Sequence, residues 1–335
     1  MKIKLLAKYS KENNRGYSPV PGWPGYEYSR STAATDYDWL VVYDEMPRHS
    51  SGTYKWGAER LECPRERTIL VTQEPSSVKD YGVKFVHQFG HYLTTRDPEV
   101  ENHPNYHLGR GYYWSYYGRK LHEVTAINPE SKNKIISAVC SDKKMKHTCH
   151  NQRYNMISYL ASTISEFDWY GRGVKPLNFK YEALDPYKYH VAIENHIAKG
   201  HCTEKLIDSI LGECLTFYAG ACDVGEWLPT GCFVPIPLDD VREAEYIIKS
   251  AIKDDLFSQR LDDIREAKRL VLSKYNFWAQ VIKVIEDASF REVPIADGAS
   301  CGYIFSRRRI VMSNPVSVFK NGVLHLSKSV SNVLR

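Results

Sequence analysis

The 335-residue chain has no C-x-x-C pair, no G-x-G-x-x-G, no G-x-x-x-x-G-K-[ST] and no stretch approaching about 18 apolar residues. Each absence removes a class of function. Without paired spacing, the eight cysteines at 63, 140, 149, 202, 214, 222, 232 and 301 read as reduced, mostly buried thiols, not as a zinc site or a disulfide framework. Without a long apolar run there is no transmembrane span, and the apolar part of MKIKLLAKYSKENNRGY is too short for a signal peptide, which points to a cytoplasmic protein. Without a glycine cradle, a bound nucleotide is not to be taken for NAD or ATP. Charge of one sign is scarce as well: 45 Lys and Arg against 40 Asp and Glu leave +5. That excess suits an anionic ligand or an anionic membrane surface, and is too mild, and too unclustered outside SRRR (306–309), for nucleic acid.

What is present is an ordinary globular composition, 43% hydrophobic and 25% charged, over a length that suits two domains. Tyrosine is abundant at 24 copies, and clusters such as GYYWSYYG (111–118) more often form core or interface than a platform for sugar rings. IKLLAKY (3–9), DWLVVYD (38–44) and RTILVTQEP (67–75) read as buried strands that end in polar residues. This is the pattern of a parallel sheet covered by helices on both faces, where ligands bind at the carboxyl ends of strands. KIISAVCSD (134–142) repeats the pattern, NQRYNMISYLASTI (151–164) has helical spacing, and EFDWYGRG (166–173) is a strand running into a glycine turn, which puts a domain boundary near residue 165. Beyond it, KYHVAI (188–193), CTEKLIDSILG (202–212) and CLTFYAG (214–220) form one βαβ unit, with Thr203 as helix cap and Gly212 as helix stop. REAEYIIKSAI (242–252) and LSKYNFWAQVIKVIEDA (272–288) read as amphipathic helices closing a second domain. The segment 290–335 is richer in Val and Ser, carries SRRR and a hairpin-like FKNGVLHL (319–326), and reads as a small β-rich appendage or, more sharply, as a membrane or partner surface. The expected division is therefore 1–165, 166–289 and 290–335.

Charge gathers at one seam, YKYHVAIENHIAKGHCTEKL (187–206). A helix that begins at Thr203 offers unpaired amides and a partial positive charge, and Lys205 in its first turn adds a full one, which together suit a diphosphate. Glu194 and Glu204 would repel that anion unless they have partners of their own. Ribose or sugar hydroxyls are such partners, so a nucleotide-sugar is a coherent ligand. The blander alternative, which an isolated T-E-K favours, has Glu204 complementing the helix dipole and Glu194 in solvent. Likewise His87 and His91 in HQFGH have the i, i+4 spacing of helical metal ligands, but Gly90 and the missing Glu make core or surface histidines the better reading.

The longer string YKYHVAIENHIAKGHCTEKLIDSILGECLTFYAG resembles the C-terminal signature of the family 10 glycosyltransferases, the α-1,3/4-fucosyltransferase family. In that family a strand ends in F-E-N, a short loop leads to T-E-K, and a helix and strand reach a Gly. The matching elements are Ile193-Glu194-Asn195, Thr203-Glu204-Lys205 and Tyr218-Ala219-Gly220. FDWYGRG resembles the family's D-x-Y-G-R stretch, VCSD followed by Arg153 its strand and phosphate-contacting Arg, VTQEP the segment with its catalytic Glu, and CDVGEWLPTGCFVPI its following segment. The resemblance runs over about residues 67–285 and is strongest over 187–237.

The resemblance implies an α/β fold of the GT-B type, two Rossmann-like domains facing a cleft. It also implies inverting transfer of a sugar from a nucleotide-sugar, GDP-fucose first, to a hydroxyl of a glycan or glycolipid acceptor, as in surface polysaccharide or lipopolysaccharide synthesis. It gives Glu74 the role of general base, Arg153 and Lys205 the diphosphate, and Glu194, Asn195, Glu204, Tyr170 and Gly171 the donor site. No metal is required if those cations carry the leaving-group charge. The chain departs from the pattern at His196, where the family has Ser or Thr, and at Cys202, preceded by His201, where it has an aromatic; these three are the candidates for donor choice. Rival readings are the same fold with a non-fucose donor, and a non-catalytic nucleotide-sugar or glycan-binding module. Peripheral membrane contact through the tail is the further expectation.

Overall fold

A computed structural model of the chain describes every residue except 13–15, 77, 112–115, 121–122, 143–148, 291–301 and 314–335. The chain divides into two compact units, one made of Met1–Leu108 with Val281–Arg335 and the other of Gly109–Gln280.

The first unit is built on nine strands from its N-terminal part: β1 (Lys2–Ala7), β2 (Ser18–Pro19), β3 (Glu27–Ser29), β4 (Trp39–Tyr43), β5 (Tyr54–Lys55), β6 (Ala58–Arg60), β7 (Thr68–Thr72), β8 (His91–Thr94) and β9 (Tyr106–Leu108). Seven of them form a sheet in the order β2-β3-β1-β4-β7-β8-β9, parallel throughout except for the β2–β3 pair. The reason lies in the sequences: IKLL, WLVV and TILVT are buried along their whole length, as strands covered on both faces must be. Each fully buried Leu, Ile or Val there contributes roughly 1.5–3 kcal/mol. One helical turn, α1 (Val83–Val86), lies between β7 and β8. Lys4, in mid-strand, is buried yet satisfied by Glu59 of β6 at 2.5 Å and by Thr53 at 2.7 Å, so an ion pair ties the sheet to the β5–β6 hairpin.

The second unit carries β10 (Lys134–Val139), α2 (His150–Thr163), β11 (Phe167–Tyr170), β12 (Tyr187–Ile193), α3 (Glu204–Leu211), β13 (Leu215–Ala219), β14 (Phe233–Pro235), α4 (Val241–Lys253), α5 (Leu256–Gln259) and α6 (Leu261–Ser273). Its five strands are all parallel, in the order β11-β10-β12-β13-β14. The chain runs outward from β10 to β11 on one side and from β12 to β13 and β14 on the other. The strand order therefore reverses between β10 and β12, and in open α/β sheets the crevice beyond the carboxyl ends at such a point is where ligands sit. The chain returns to the first unit within α7 (Phe277–Phe290), and ends its described part there with β15 (Tyr303–Phe305) and α8 (Arg307–Met312).

Three expectations are corrected. The division falls at 108/109 and 280/281 instead of 165 and 289, because β10 pairs with β12 and so belongs, with α2, to the second sheet. The helix expected over 272–288 is broken at Asn276. Its side chain donates to Leu272 O at 2.8 Å and accepts from Ala279 N at 2.9 Å, ending α6 and starting α7. The tail is no separate appendage in its described part. β15 joins β6 and β5 as the third, antiparallel strand of a small sheet, and SRRR is the start of α8, where Ser306 Oγ accepts from Arg309 N. FKNGVLHL and residues 112–115, half of GYYWSYYG, lie outside the described residues.

Candidate functional site

The seam at 187–206 stands at the switch point of the second unit. Strand β12 delivers Glu194 just past its carboxyl end, where the Glu194 N–H donates to Ala219 O of β13 at 2.8 Å. The Glu194 side chain is fully buried. Its two oxygens accept from Thr203 N at 2.9 Å, from Thr203 Oγ1 at 2.8 and 2.7 Å, and from Lys205 Nζ at 3.0 Å. A buried carboxylate is tolerable only with such a full set of partners. Glu194 is thus a clamp that fixes the start of α3 to the end of β12, with both its oxygens committed to the protein and not to the ligand contact expected of it. Gly220 makes room for it, since a Cβ there would lie 2.1 Å from the Tyr218 hydroxyl and 2.8 Å from Glu194 Cγ.

The Thr203 hydroxyl, spent on Glu194, does not cap α3, so the first-turn amides of the helix have no side-chain acceptor and keep their attraction for an anion. Lys205 Nζ also reaches Thr203 Oγ1 at 2.9 Å and Glu204 Oε1 at 3.1 Å. Burial would lower its pKa, but the Glu194 and Glu204 carboxylates outweigh burial and raise it. The Glu204 carboxyl, itself half exposed, is pushed up by burial but held at about 2 by Lys205, Lys180 and Thr203. It is an ionised acceptor open to a ligand hydroxyl. Lys180 is a participant that sequence reasoning missed: it bonds Glu204 O at 3.4 Å and pairs with Asp208, and nothing in NFKYEAL marks it.

From the other side of the switch point, α2 brings Arg153. Cys149 N donates to Asn195 O at 2.9 Å, and Arg153 Nη1 donates to Asn195 Oδ1 at 2.5 Å. Arg153 is only 7% exposed, its Nε has no hydrogen-bond partner, and no ion pair involves it among the described residues. A buried guanidinium without a counter-charge costs several kcal/mol. This is the strongest electrostatic signal of the site, and an anion would relieve it.

The remaining candidates are distributed unevenly. Gly171, after β11, has φ 147° and would place a Cβ 2.3 Å from Cys140 O, so it serves close backbone packing beside the site. The Tyr170 side chain is buried and its hydroxyl shares a 2.7 Å hydrogen bond with that of Tyr187, in a cluster with Asp168 and Lys134; it is a core residue, not a ligand contact. His196 and His201 meet ring to ring at 5.9 Å on the loop between β12 and α3. Cys202 is buried, and burial pushes its thiol well above the usual range, so it shapes the floor of the loop and does not face a ligand.

Glu74 belongs to the first unit. It follows β7 and lines a cavity of about 1080 Å³ with residues that follow β1 and β4 and with the start of α8. Its carbonyl accepts from Arg96 Nε at 2.9 Å, while its exposed carboxylate has no partner among the described residues. His87 and His91 are structural: His87 Nε2 meets Glu101 O at 2.8 Å, and His91 Nδ1 meets His107 Nε2 at 3.1 Å. The D-x-D triplet Asp36-Tyr37-Asp38, which sequence reasoning passed over, is engaged by Lys2 at the amino end of the first sheet, with Lys2 N donating to Asp38 Oδ2 at 2.7 Å and Lys2 Nζ pairing with Asp36. No group of three or more potential metal ligands occurs among the described residues, and no helix among them is long and apolar enough to cross a membrane.

No known family's sequence profile matches the chain, and no curated protein matches it by sequence. Solved structures do match by fold. An α1,3-fucosyltransferase crystallised with GDP superposes with a TM-score of 0.52 at 14% identity, over 87% of this chain and 91% of its own. The form with GDP-fucose gives 0.51 at 14% identity, over 88% and 92%. At that identity the likeness is one of fold: an α/β chain of two Rossmann-like units, of the GT-B type.

Proposed function

We propose that the protein is a glycosyltransferase that moves a sugar from a nucleotide-sugar to a hydroxyl of a glycan or glycolipid acceptor, with inversion and with GDP-fucose as the first donor to test. The observation that carries the reading is Arg153, a buried guanidinium with no carboxylate partner among the described residues, at the switch point of a parallel sheet. Beside it, through Asn195, stands a helix start carrying Lys205 and the open carboxylate of Glu204. Cations and free amides suit a diphosphate, and an exposed carboxylate suits ribose or sugar hydroxyls. The GT-B fold supports the reaction class, and the fucosyltransferase of the same fold that was crystallised with GDP-fucose supports the choice of donor.

In the proposed reaction the acceptor oxygen attacks the anomeric carbon as the bond from that carbon to the diphosphate oxygen breaks, and the acceptor proton passes to Glu74. An unpaired, exposed carboxylate at a strand end is suited to that task. The electron pair leaves with the nucleoside diphosphate, whose growing charge Arg153, Lys205 and the α3 amides stabilise. Those cations do the work a metal does in other transferases. Attack opposite the leaving group gives inversion. In this reading the enzyme works on the cytoplasmic side, on a lipopolysaccharide-like or polysaccharide acceptor.

The test is a thermal-shift panel of GDP-, UDP-, CMP- and dTDP-linked sugars, because a ligand of the folded state alone raises the melting temperature. GDP-fucose should give the largest shift. A larger shift with another donor would keep the transferase and change the sugar; no shift with any of them would sink the reading.

A further inference from the structure

The basic run of the tail, SRRR, is not used by the donor site, and it does not stand apart from the chemistry either. Arg307, Arg308 and Arg309 line the same cavity in the first unit as Glu74. Six cationic side chains line that cavity against three carboxylates, and two of the three are already taken. Lys79 bonds Asp44 at 3.0 Å and Glu45 at 2.9 Å, and Arg307 Nε bonds Glu45 at 3.0 Å. Arg309 is spent on the Trp56 carbonyl at 3.1 Å and lies over the Phe305 ring. Lys8, Arg48 and Arg308 are left with no carboxylate partner among the described residues, facing a cavity whose one remaining acid is Glu74. Lys8 and Arg48 both lie over the ring of Tyr9, at 5.6 and 5.1 Å.

The cavity also has an aromatic wall. Trp56 is 86% exposed, the most exposed large apolar side chain among the described residues. Its backbone is in the left-handed region at φ 52°, fixed by Ser50 Oγ accepting from Trp56 N at 3.0 Å and by Arg309 on its carbonyl. An indole kept in such a conformation beside unpaired cations offers an apolar face to a sugar ring and leaves the charged groups for a substituent on it.

Resting on the transferase reading, we infer that this cavity is the acceptor site and that the acceptor carries an anionic group, a carboxylate or a phosphate, bound by Lys8, Arg48 and Arg308 with Trp56 against a sugar ring. Guanidinium forks fit either anion bidentately. An anionic acceptor would balance the excess of cationic side chains lining the cavity as it binds.

The experiment titrates the full chain by calorimetry with matched saccharides: lactose against 3′-sialyllactose for a carboxylate, and galactose against galactose 6-phosphate for a phosphate. At least one acidic probe should bind about tenfold or more tighter than its neutral counterpart and weaken at high salt, and the one that does names the anion. Arg308→Ala and Lys8→Ala should each lower that affinity about tenfold, with the melting temperature and the nucleotide-sugar shift unchanged. Equal binding of neutral and acidic saccharides, affinity unmoved by both variants, or inorganic phosphate or phosphatidylserine vesicles binding as tightly as the acidic saccharide would each overturn the inference. The donor thermal shift is measured separately, so a failure of the transferase reading shows as lost nucleotide binding while the saccharide titrations still decide this site.

Discussion

Replacing Arg153 by Met separates a ligand-binding residue from a structural one. In the protein as it stands, Arg153 is 7% exposed, donates to Asn195 at 2.5 Å and has an unpartnered Nε. Removing a buried charge that lacks a counter-charge returns several kcal/mol of desolvation, while leaving the Asn195 oxygen without its donor costs about 1–3 kcal/mol. The two offset each other, so the ligand-free variant should melt within about 4 °C of the wild type. Donor binding has no such compensation. A guanidinium bonded to phosphate oxygens contributes about 1.5–3 kcal/mol per charged hydrogen bond, so the nucleotide-sugar Kd should rise about tenfold to 150-fold, with Arg153→Lys recovering part of it as a point charge. Thermal melting with and without the donor, followed by calorimetry, reads both quantities on one sample. A variant that loses stability and keeps donor affinity would make Arg153 a core residue and remove the main support for an anion site.

Glu74→Gln should lower turnover about 100-fold to 10,000-fold with donor affinity retained; full activity in this variant would place the base elsewhere, and absence of turnover in wild type despite donor binding would favour a binding module. His190, fully buried with Nδ1 2.8 Å from Ser137 Oγ, is pushed down to about 3 by burial, with the Lys180 and Lys132 charges adding to the effect. Its folded pKa lies below the unfolded one, so its contribution is complete above about pH 6.5 and fades as pH falls toward 3, at roughly 1.4 kcal/mol per pH unit. Urea unfolding across that range should show a shallower acid loss in His190→Leu, and an identical slope would refute the assignment. Gly171→Ala forces a Cβ to 2.3 Å from Cys140 O at φ 147°; it should cost about 2–3 kcal/mol and lower the melting temperature by about 4–12 °C, and a change within about a degree would show that the turn relaxes freely.

The central strands of both sheets were legible because parallel strands buried on both faces are written as continuous apolar runs. IKLL, WLVV, TILV and the core of YKYHVAI give themselves away without any partner. Sheet membership does not, because it is a pairing across the chain. Nothing local in KIISAV says that Ile136 will sit beside Tyr189 instead of beside a strand of the first sheet, and so the boundary was placed about 57 residues too late relative to the division at 108/109. In the proposed donor site, E-N and T-E-K were readable as a strand end and a helix start, and that is where they stand. The job of Glu194 was not, since burial and its four bonds to Thr203 and Lys205 appear only when the loop closes. The cavity in the first unit draws on residues 8, 48, 74 and 308, which no window of sequence holds together.

The charges at the seam divide into two kinds. Lys205 is surrounded: its ammonium already meets Glu194, Thr203 and Glu204, so its charge is offset before any ligand arrives and it acts mainly by holding a donor hydrogen in the right place. Arg153 has no carboxylate against it among the described residues, so the attraction for an anion comes chiefly from there. An incoming diphosphate must draw Lys205 away from Glu204, and that exposes an ionised carboxylate unless a ligand hydroxyl takes it up. Recognition of the hydroxyl and of the phosphate are therefore one event in this site, and a bare phosphate should gain little where a nucleotide-sugar gains both. The residues that differ from the fucosyltransferase pattern sort the same way. Cys202 lies under the loop and can act only through its shape, whereas His196 and His201, in contact on the segment between Asn195 and Thr203, flank both proposed recognition elements in the chain, and in the proposed reading that histidine pair is where donor choice would be set.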